Sequence, residues 1–252
     1  MKIFILALAT LMLGACAGIA PDYAREQRWA DEVVPGLVVG EAVRIETAAR
    51  RRFLGILAAS PRSSGDSERG AIILIHGSGV HPDFAVIGQL RALLNDAGFT
   101  TLSIQMPVLA ADAAAEDYRD LFAEAGERID AAIGFLRAKT PARIAVVSHS
   151  MGARMTLDFL KRKPDAPLAA WVPLAISDGD LAGLRRSAFP VFDVYAEKDF
   201  EVVLAKKNDR AAVLRGIPGS KQVTVFGADH FFAGREKELA MLLADLLAPA
   251  LK

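Results

Sequence analysis

Cysteine is almost missing from this chain of 252 residues: only Cys16 is present, so no disulfide can form within it. Charge of one sign is not in excess either, because 30 lysines and arginines are matched by 30 aspartates and glutamates. A near-neutral chain lacks the electrostatic footprint of nucleic-acid binding, so we expect no nucleic-acid partner. Internal repeats and low-complexity tracts are absent, and the length fits one larger α/β domain.

The first residues have the pattern of an export signal. Lys2 precedes an almost unbroken apolar run over 3–13, and small residues follow this run. The segment Leu13-Gly14-Ala15-Cys16 resembles the lipobox of bacterial lipoproteins, in which the cysteine becomes the acylated first residue of the mature protein. The resemblance implies that Cys16 carries lipid.

A lipid anchor implies a bacterial envelope protein that is held at a membrane and faces the periplasm. Ala17, in place of aspartate, resembles the pattern of outer-membrane sorting in Gram-negative species. The sequence thus predicts a signal peptide over 1–15, a polar, irregular tether over 16–35 and a folded domain over 36–252. Two alternatives stay open: an ordinary signal peptide, and an uncleaved transmembrane anchor, for which the apolar stretch is barely long enough.

Downstream of the tether, segments typical of strands and helices alternate along the chain. Apolar, partly β-branched runs predict strands, the first two as an edge hairpin, over 38–46, 52–59, 71–75, 100–106, 142–147, 171–176, 191–196 and 222–226. Apolar residues at helical spacing predict helices over 84–98, 118–133, 151–163 and 239–246. This alternation predicts a mainly parallel sheet with helices on both faces.

One serine lies where a strand changes into a helix. Ser148-His149-Ser150-Met151-Gly152 follows the apolar strand over 142–147 and precedes a helical pattern. This is the context of a nucleophile elbow, a sharp turn that exposes one serine. A serine hydroxyl is a poor nucleophile until a base and an oxyanion site are held beside it. The alternative interpretation is that Ser150 merely caps the helix.

The order in which the other polar residues follow completes a pattern. Asp199 comes after a later strand, His230 lies nearer the end, and His76-Gly77-Ser78-Gly79 closes an earlier strand. Over nearly all of the mature region the chain resembles the α/β-hydrolase superfamily, whose triad has the order Ser, Asp, His. The resemblance implies an α/β-hydrolase fold. We expect this fold to lack a sizeable cap domain, because related enzymes insert the cap between two strands that only Ser177–Pro190 separates here.

The resemblance assigns a base and an acid to Ser150. The segment Pro190-Val-Phe-Asp-Val-Tyr-Ala-Glu-Lys-Asp199 is similar to the family's acid segment, although Ala196 replaces the usual glycine, and this implies Asp199 as the acid. Asp178 and Asp180 remain the alternatives, since some members take the acid from the preceding strand. Gly227-Ala-Asp-His-Phe-Phe232 resembles the family's histidine loop and implies His230 as the base.

The chemistry implied is acyl transfer through an acyl-enzyme, with a small acyl substrate and neither cofactor nor metal. The resemblance implies that the backbone N–H groups of Met151 and Ser78 form the oxyanion hole, with Gly79 as the alternative to Ser78. A dinucleotide loop at His76–Gly79 would require a third glycine at Pro82, and no Walker lysine is present. A metal site built on His76 and His81 lacks carboxylate or cysteine partners at metal spacing.

The lack of a lid predicts a shallow, open pocket walled by Pro107–Asp117, Ser177–Ser187 and Phe231-Phe232. A carboxylic ester is the default substrate, and a thioester or a peptide-like bond stays open. The other class of function is a non-catalytic, lipid-anchored envelope protein that retains the fold. The sequence does not indicate an oligomeric state.

Overall fold

The computed structural model describes residues 19–61, 69–140, 142–178, 180–185 and 187–252. The predicted signal peptide over 1–15 and the predicted lipidation site Cys16 lie outside these ranges, so both stay predictions. Among the helices that lie within them, none combines the length and the hydropathy that a membrane crossing requires.

Eight strands form a single sheet in the described part of the chain, in the order β1-β2-β4-β3-β5-β6-β7-β8. They are β1 (Glu41–Glu46), β2 (Arg52–Ala58), β3 (Ala71–Ile75), β4 (Thr100–Ile104), β5 (Ile144–His149), β6 (Ala170–Leu174), β7 (Phe192–Lys198) and β8 (Lys221–Asp229). The β1–β2 and β2–β4 pairs are antiparallel, and every other pair is parallel. The predicted mainly parallel sheet with a hairpin at one edge is confirmed.

Helices cover both faces of this sheet. They are α1 (Tyr23–Val33), α2 (Ala85–Asp96), α3 (Phe122–Lys139), α4 (Met151–Arg162), α5 (Glu201–Leu204), α6 (Lys207–Leu214) and α7 (Glu236–Leu251). Helices α3 and α4 pack together on one face, and α2 and α7 pack together on the other. Short 3-10 helices add Val34–Gly36, Ala115–Leu121 and Ala182–Leu184.

The apolar run of β3 is continuous because both of its faces are buried. Ile73 and Ile75 belong to the core under α3 and α4, whereas Ile72 and Leu74 belong to the core under α2 and α7. All four side chains are fully buried. Parallel strands sandwiched between helix layers have this composition, whereas a sheet with one solvated face would alternate apolar and polar residues.

The segment over 21–35 is not irregular, so that expectation is wrong. Its central part forms α1, which begins at a cap where the side chain of Asp22 accepts a backbone N–H. Ala30 is buried against β2, and Glu26 makes a buried bidentate ion pair with Arg128 of α3 (2.8 and 3.1 Å). Only two of the eleven residues of α1 are buried, which leaves too weak an apolar periodicity to predict a helix.

The connection between β6 and β7 is short, as the sequence predicts. The described residues of Ser177–Pro190 contain one 3-10 helix of three residues, Ala182–Leu184, and no cap domain. Helices α5 and α6, which follow β7, were not predicted because few of their residues are buried. Because no cap domain lies between β6 and β7 in the described residues, the carboxyl ends of the parallel strands are accessible at one edge of the sheet.

Candidate active site

The turn between β5 and α4 holds Ser150 in an unusual backbone conformation. Its φ is 54° and its ψ is −118°, a region that residues other than glycine rarely adopt. The turn is fixed from outside, because the Ser150 N–H donates to the carbonyl oxygen of Leu174 in β6 (2.9 Å). Strain of this kind persists only where the surrounding structure imposes it, and it is frequent at functional sites.

Small residues on either side of Ser150 allow this turn. A Cβ atom at Gly152 would lie 2.3 Å from the carbonyl oxygen of His76, so α4 passes too close to the end of β3 for any side chain there. On the strand side, the Oγ of Ser148 accepts a hydrogen bond from the buried indole of Trp171 (2.8 Å). The residues that flank Ser150 are therefore explained by packing alone.

The structure brings together the three residues that the sequence predicts as a triad. The Nε2 atom of His230 lies 3.1 Å from the Oγ of Ser150, and its Nδ1 atom lies 2.6 Å from Oδ1 of Asp199. The carboxylate is itself held by two backbone donors, the N–H of Phe200 (2.8 Å) and that of Ala196 (3.2 Å). Asp199 and His230 are both buried. This geometry orients the imidazole so that Nε2 faces the serine.

The alternative acids lie elsewhere. Asp178 accepts the backbone N–H of Asp180 (2.8 Å), and Asp180 forms an exposed ion pair with Lys161 (3.3 Å). In the described part of the chain, the ring of His230 forms hydrogen bonds with Asp199 and Ser150, and with neither of these two carboxylates.

His149, inside the elbow, holds the segment that carries His230. Its Nε2–H donates to the backbone carbonyl oxygen of His230 (2.9 Å), and the two rings lie 5.0 Å apart. Burial lowers the pKa of His149 to about 4, so the ring is neutral at pH 7 and keeps this donor in place. The contact thus gives His149 a structural role: it supports the segment that carries the catalytic histidine.

His76 holds the loop that follows β3. Its Nδ1–H donates to the carbonyl oxygen of Gly77 (2.8 Å), and its Nε2 accepts the backbone N–H of Met106 (2.9 Å). Burial lowers the pKa of His76 to about 3, so it is neutral and both nitrogens are occupied. Within the described residues, no group of three His, Cys, Asp or Glu side chains could hold a metal ion.

The two residues predicted to supply the oxyanion hole are Met151, the residue after the serine, and Ser78, which lines the same cavity. Met151 is the first residue of α4, where a helix leaves its N–H groups without an intrahelical acceptor. Ser78 lines the same cavity as Ser150, and a Cβ added at the adjacent Gly77 would lie 3.4 Å from Cβ of Ser150. In the described part of the chain, no backbone carbonyl accepts from either N–H.

A cavity of about 230 Å³ opens over Ser150 and His230. Its walls are His76, Gly77, Ser78, Val80, Phe84, Ala85, Val86, Ile87, His149, Ser150, Phe200, His230 and Phe231. The predicted walls were largely wrong: Phe231 is among them, but Phe232 is fully buried, and neither Pro107–Asp117 nor the described residues of Ser177–Ser187 line this cavity. Phe84 could have been suspected from its place after the His76–Gly79 loop, and Phe200 from its place next to Asp199.

Solved structures similar to this chain share its fold. A serine hydrolase without a lid from Xanthomonas campestris is 15% identical, over 85% of this chain and 96% of that one, with a TM-score of 0.67. A dienelactone hydrolase from Anabaena variabilis is 19% identical, over 84% and 97%, with a TM-score of 0.66. An alpha-beta serine hydrolase homologue from Coxiella burnetii is 20% identical, over 84% and 99%, with a TM-score of 0.63.

These likenesses show that the chain has the lidless α/β-hydrolase fold, as the sequence predicts. A sequence family described as "Protein of unknown function (DUF3530)" matches residues 20–125, which is less than half of the chain. No curated protein matches the sequence. The matched family segment covers α1 and the loop after β3, but it ends before β5 and Ser150.

Proposed function

We propose that this chain is a serine hydrolase that cleaves carboxylic esters through an acyl-enzyme intermediate. The observation that carries the proposal is the continuous line of contacts Ser150–His230–Asp199 at the mouth of a cavity. A serine on a strained strand-to-helix turn, in hydrogen-bond reach of a histidine that a carboxylate orients, is the arrangement that activates a hydroxyl for attack on an acyl carbon.

In the first step, Nε2 of His230 takes the proton from Ser150 as the Oγ attacks the carbonyl carbon. Asp199 accepts the Nδ1–H of the imidazole, which fixes the tautomer and stabilises its positive form. The N–H groups of Ser78 and Met151 would receive the negative oxygen, each worth about 3 kcal/mol in the transition state. His230 then returns the proton to the leaving alcohol, and water releases the acyl group by the reverse sequence.

Two alternatives differ in what they predict. A thioesterase or peptidase would use the same triad on another acyl bond. A non-catalytic protein would keep the fold without an activated serine. The dienelactone hydrolase and the serine hydrolases with this fold support catalysis, and the complete hydrogen-bonded triad gives no sign of decay.

The test is labelling of the purified domain with a fluorophosphonate probe. Wild type should be labelled and Ser150→Ala should not. Ser187→Ala is the matched control, because Ser187 bonds locally to Phe189 outside the cavity, and it should label like wild type. Equal labelling of wild type and Ser150→Ala would reject the nucleophile, and an unlabelled wild type would favour the non-catalytic protein.

We also propose that Cys16 carries lipid and anchors the enzyme in the bacterial envelope. The support is the sequence alone: Leu13-Gly14-Ala15-Cys16 resembles a lipobox, and Cys16 is the only cysteine. Several acyl chains on one residue give stable anchoring, since each buried methylene adds about 0.8 kcal/mol. Metabolic palmitate should label wild type and leave Cys16→Ser unlabelled and unattached. A membrane-bound Cys16→Ser variant would overturn this proposal and leave the hydrolase proposal intact.

A further inference from the structure

We propose that the cavity over Ser150 selects a small, uncharged, apolar group of the ester, and that the exposed phenylalanines Phe84 and Phe231 set this selectivity. The inference rests on the proposed hydrolase function and specifies its substrate class. Seven of the residues that line the cavity have apolar side chains: Val80, Phe84, Ala85, Val86, Ile87, Phe200 and Phe231. The volume of about 230 Å³ lies below the range of about 300–1,000 Å³ for typical ligand sites, so a short acyl chain or one aromatic ring is favoured over a long chain.

The cavity offers a charged substrate no partner. No Asp, Glu, Lys or Arg belongs to the described residues that line it. The cation of the adjacent helix, Arg91, is buried and already engaged with Asp83 and with the backbone carbonyl of Val39. A carboxylate that entered would lose its hydration without gaining a counter-ion, and such a loss is costly.

Three phenylalanines at the mouth present free apolar surface. Phe84, Phe200 and Phe231 are 43%, 52% and 49% exposed, which is unusual for large apolar side chains that face one small cavity. The ring of Phe200 stacks on His230 with centroids 4.0 Å apart, and Phe231 meets both rings edge-on. A flat apolar group of the substrate would bury this exposed surface and stack against the rings.

The test compares two esters of equal ring size, 4-nitrophenyl benzoate and the same ester with a carboxylate on the benzoyl ring. Wild type should show kcat/KM at least about tenfold higher for the uncharged ester, because the charge is desolvated without a partner. Phe84→Arg should reduce this ratio at least about tenfold by supplying the missing cation. Phe231→Arg is the second variant, with the same expectation.

Phe226→Arg is the matched control, since Phe226 is 70% exposed on β8 and does not line the cavity. It should keep the ratio of wild type. Equal kcat/KM values for the two esters in wild type, or a ratio that neither cavity variant changes, would overturn the inference. A wild type that a fluorophosphonate does not label would instead reject the hydrolase proposal, so the two failures are distinguishable.

A second inference rests on a different observation, the contact between α1 and the loop after β3. We infer that Arg25 is a positioning residue for the loop that carries Ser78. Its guanidinium donates to the carbonyl oxygen of Gly79 (3.2 Å) and to that of Leu109 (2.8 Å), and it lies 4.5 Å from the centre of the Trp29 ring. One side chain thus joins the loop after β3 to the segment after β4.

Helix α1 is itself firmly held against this segment. The N–H of Asp22 donates to the carbonyl oxygen of Val108 (2.7 Å), and the N–H of Val108 donates to Glu26 (3.3 Å). Glu26 is also bound by the buried Arg128. Because the helix cannot move freely, Arg25 restrains Gly79, which is the neighbour of the proposed oxyanion donor Ser78. Removal of the Arg25 side chain should therefore loosen the Ser78 N–H without opening the cavity.

Arg25→Ala should lower kcat at least about tenfold while KM stays within about twofold, because the donor acts mainly in the transition state. Added methylguanidinium should restore part of kcat. The control Arg28→Ala removes an exposed arginine from the same helix and should retain the kcat of wild type. The inference fails if Arg25→Ala has the same kcat as Arg28→Ala. It also fails if the kcat of Arg25→Ala falls only as much as the fraction of folded protein does, and methylguanidinium does not restore it. An unlabelled wild type would reject the hydrolase proposal instead.

Discussion

Adding one methyl group at Gly152 tests how closely α4 approaches the end of β3. The new Cβ of Gly152→Ala would lie 2.3 Å from the carbonyl oxygen of His76 and 2.8 Å from a methyl group of Ile75. The first neighbour is backbone and the second is fully buried, so neither can turn away. The amino end of α4 therefore has to move, by about 1 Å, and it carries the Met151 N–H with it.

The magnitude follows from two opposing effects. Overpacking of a filled core costs about 1–3 kcal/mol, and alanine in a helix gains at most about 1 kcal/mol over glycine. We therefore expect Gly152→Ala to lower the free energy of unfolding by about 1–2 kcal/mol. The displaced N–H and serine should reduce kcat/KM by on the order of a hundredfold, because catalytic groups tolerate a 1 Å misplacement poorly.

Gly134→Ala is the matched control, because Gly134 lies in α3, is exposed, and has no atom within 4 Å of an added Cβ. It should raise the free energy of unfolding by about 0.5–1 kcal/mol and leave activity unchanged. Urea unfolding and ester hydrolysis measure both effects. If Gly152→Ala is as stable and as active as Gly134→Ala, α4 does not approach β3 as closely as described, and the argument is refuted.

Three further predictions concern the acid, the acidity of the medium and the substrate's physical state. Asp199→Asn should reduce turnover by on the order of 10⁴-fold, and Asp178→Asn should change it only slightly; the reverse result would reassign the acid. In the folded state the pKa of His149 is about 4 and that of His76 is about 3, both below the ordinary histidine value. The unfolded chain therefore binds protons at these residues before the folded protein does, as the pH falls below about 6.5. The free energy of unfolding, measured with urea, should therefore fall as the pH is lowered from 6.5 to about 4, by up to about 1.4 kcal/mol per pH unit for each histidine. The dependence of this free energy on pH should be weaker in His149→Gln. A free energy of unfolding that does not change over this pH range would contradict the burial of the two histidines. Hydrolysis of a soluble short-chain ester should saturate simply, with no jump above the micelle concentration, because the described residues include no lid to open; a sharp jump would indicate a lipase.

The physical basis of the acid and pH predictions is the same buried network. His149 reaches the carbonyl oxygen of His230, and Asp199 reaches its ring, so the base is fixed from two sides. Protonation of His149 would place a second positive charge beside the imidazolium that forms during catalysis, with both rings buried and their centroids 5.0 Å apart. The part of the stability loss that His149 causes is thus expected to arise beside the catalytic base, whereas the part that His76 causes arises in the loop after β3.

The elbow could be predicted from the sequence because it depends on local pattern, whereas the order of the triad came from the resemblance to the α/β-hydrolase superfamily. A buried apolar strand, a small residue at Ser148, the serine and Gly152 must be adjacent in sequence for the turn to form at all. The alternation of such strands with amphipathic helices likewise restricts the chain to a parallel sheet covered on both faces. Asp199 and His230 were assigned by the resemblance to the α/β-hydrolase superfamily, on the segments that follow two later strands.

The walls of the cavity and the role of α1 required the tertiary structure. Phe84, Phe200 and Phe231 come from three separate loops, and no local pattern says which loops meet above a serine. Helix α1 is largely polar, and the buried Glu26–Arg128 pair fixes its position across the fold, so the helix leaves almost no periodic signal in the sequence. The periodicity of apolar residues in the sequence indicates which face of a helix or strand is buried. Which distant loops and helices contact that face is decided only by long-range packing in the folded chain.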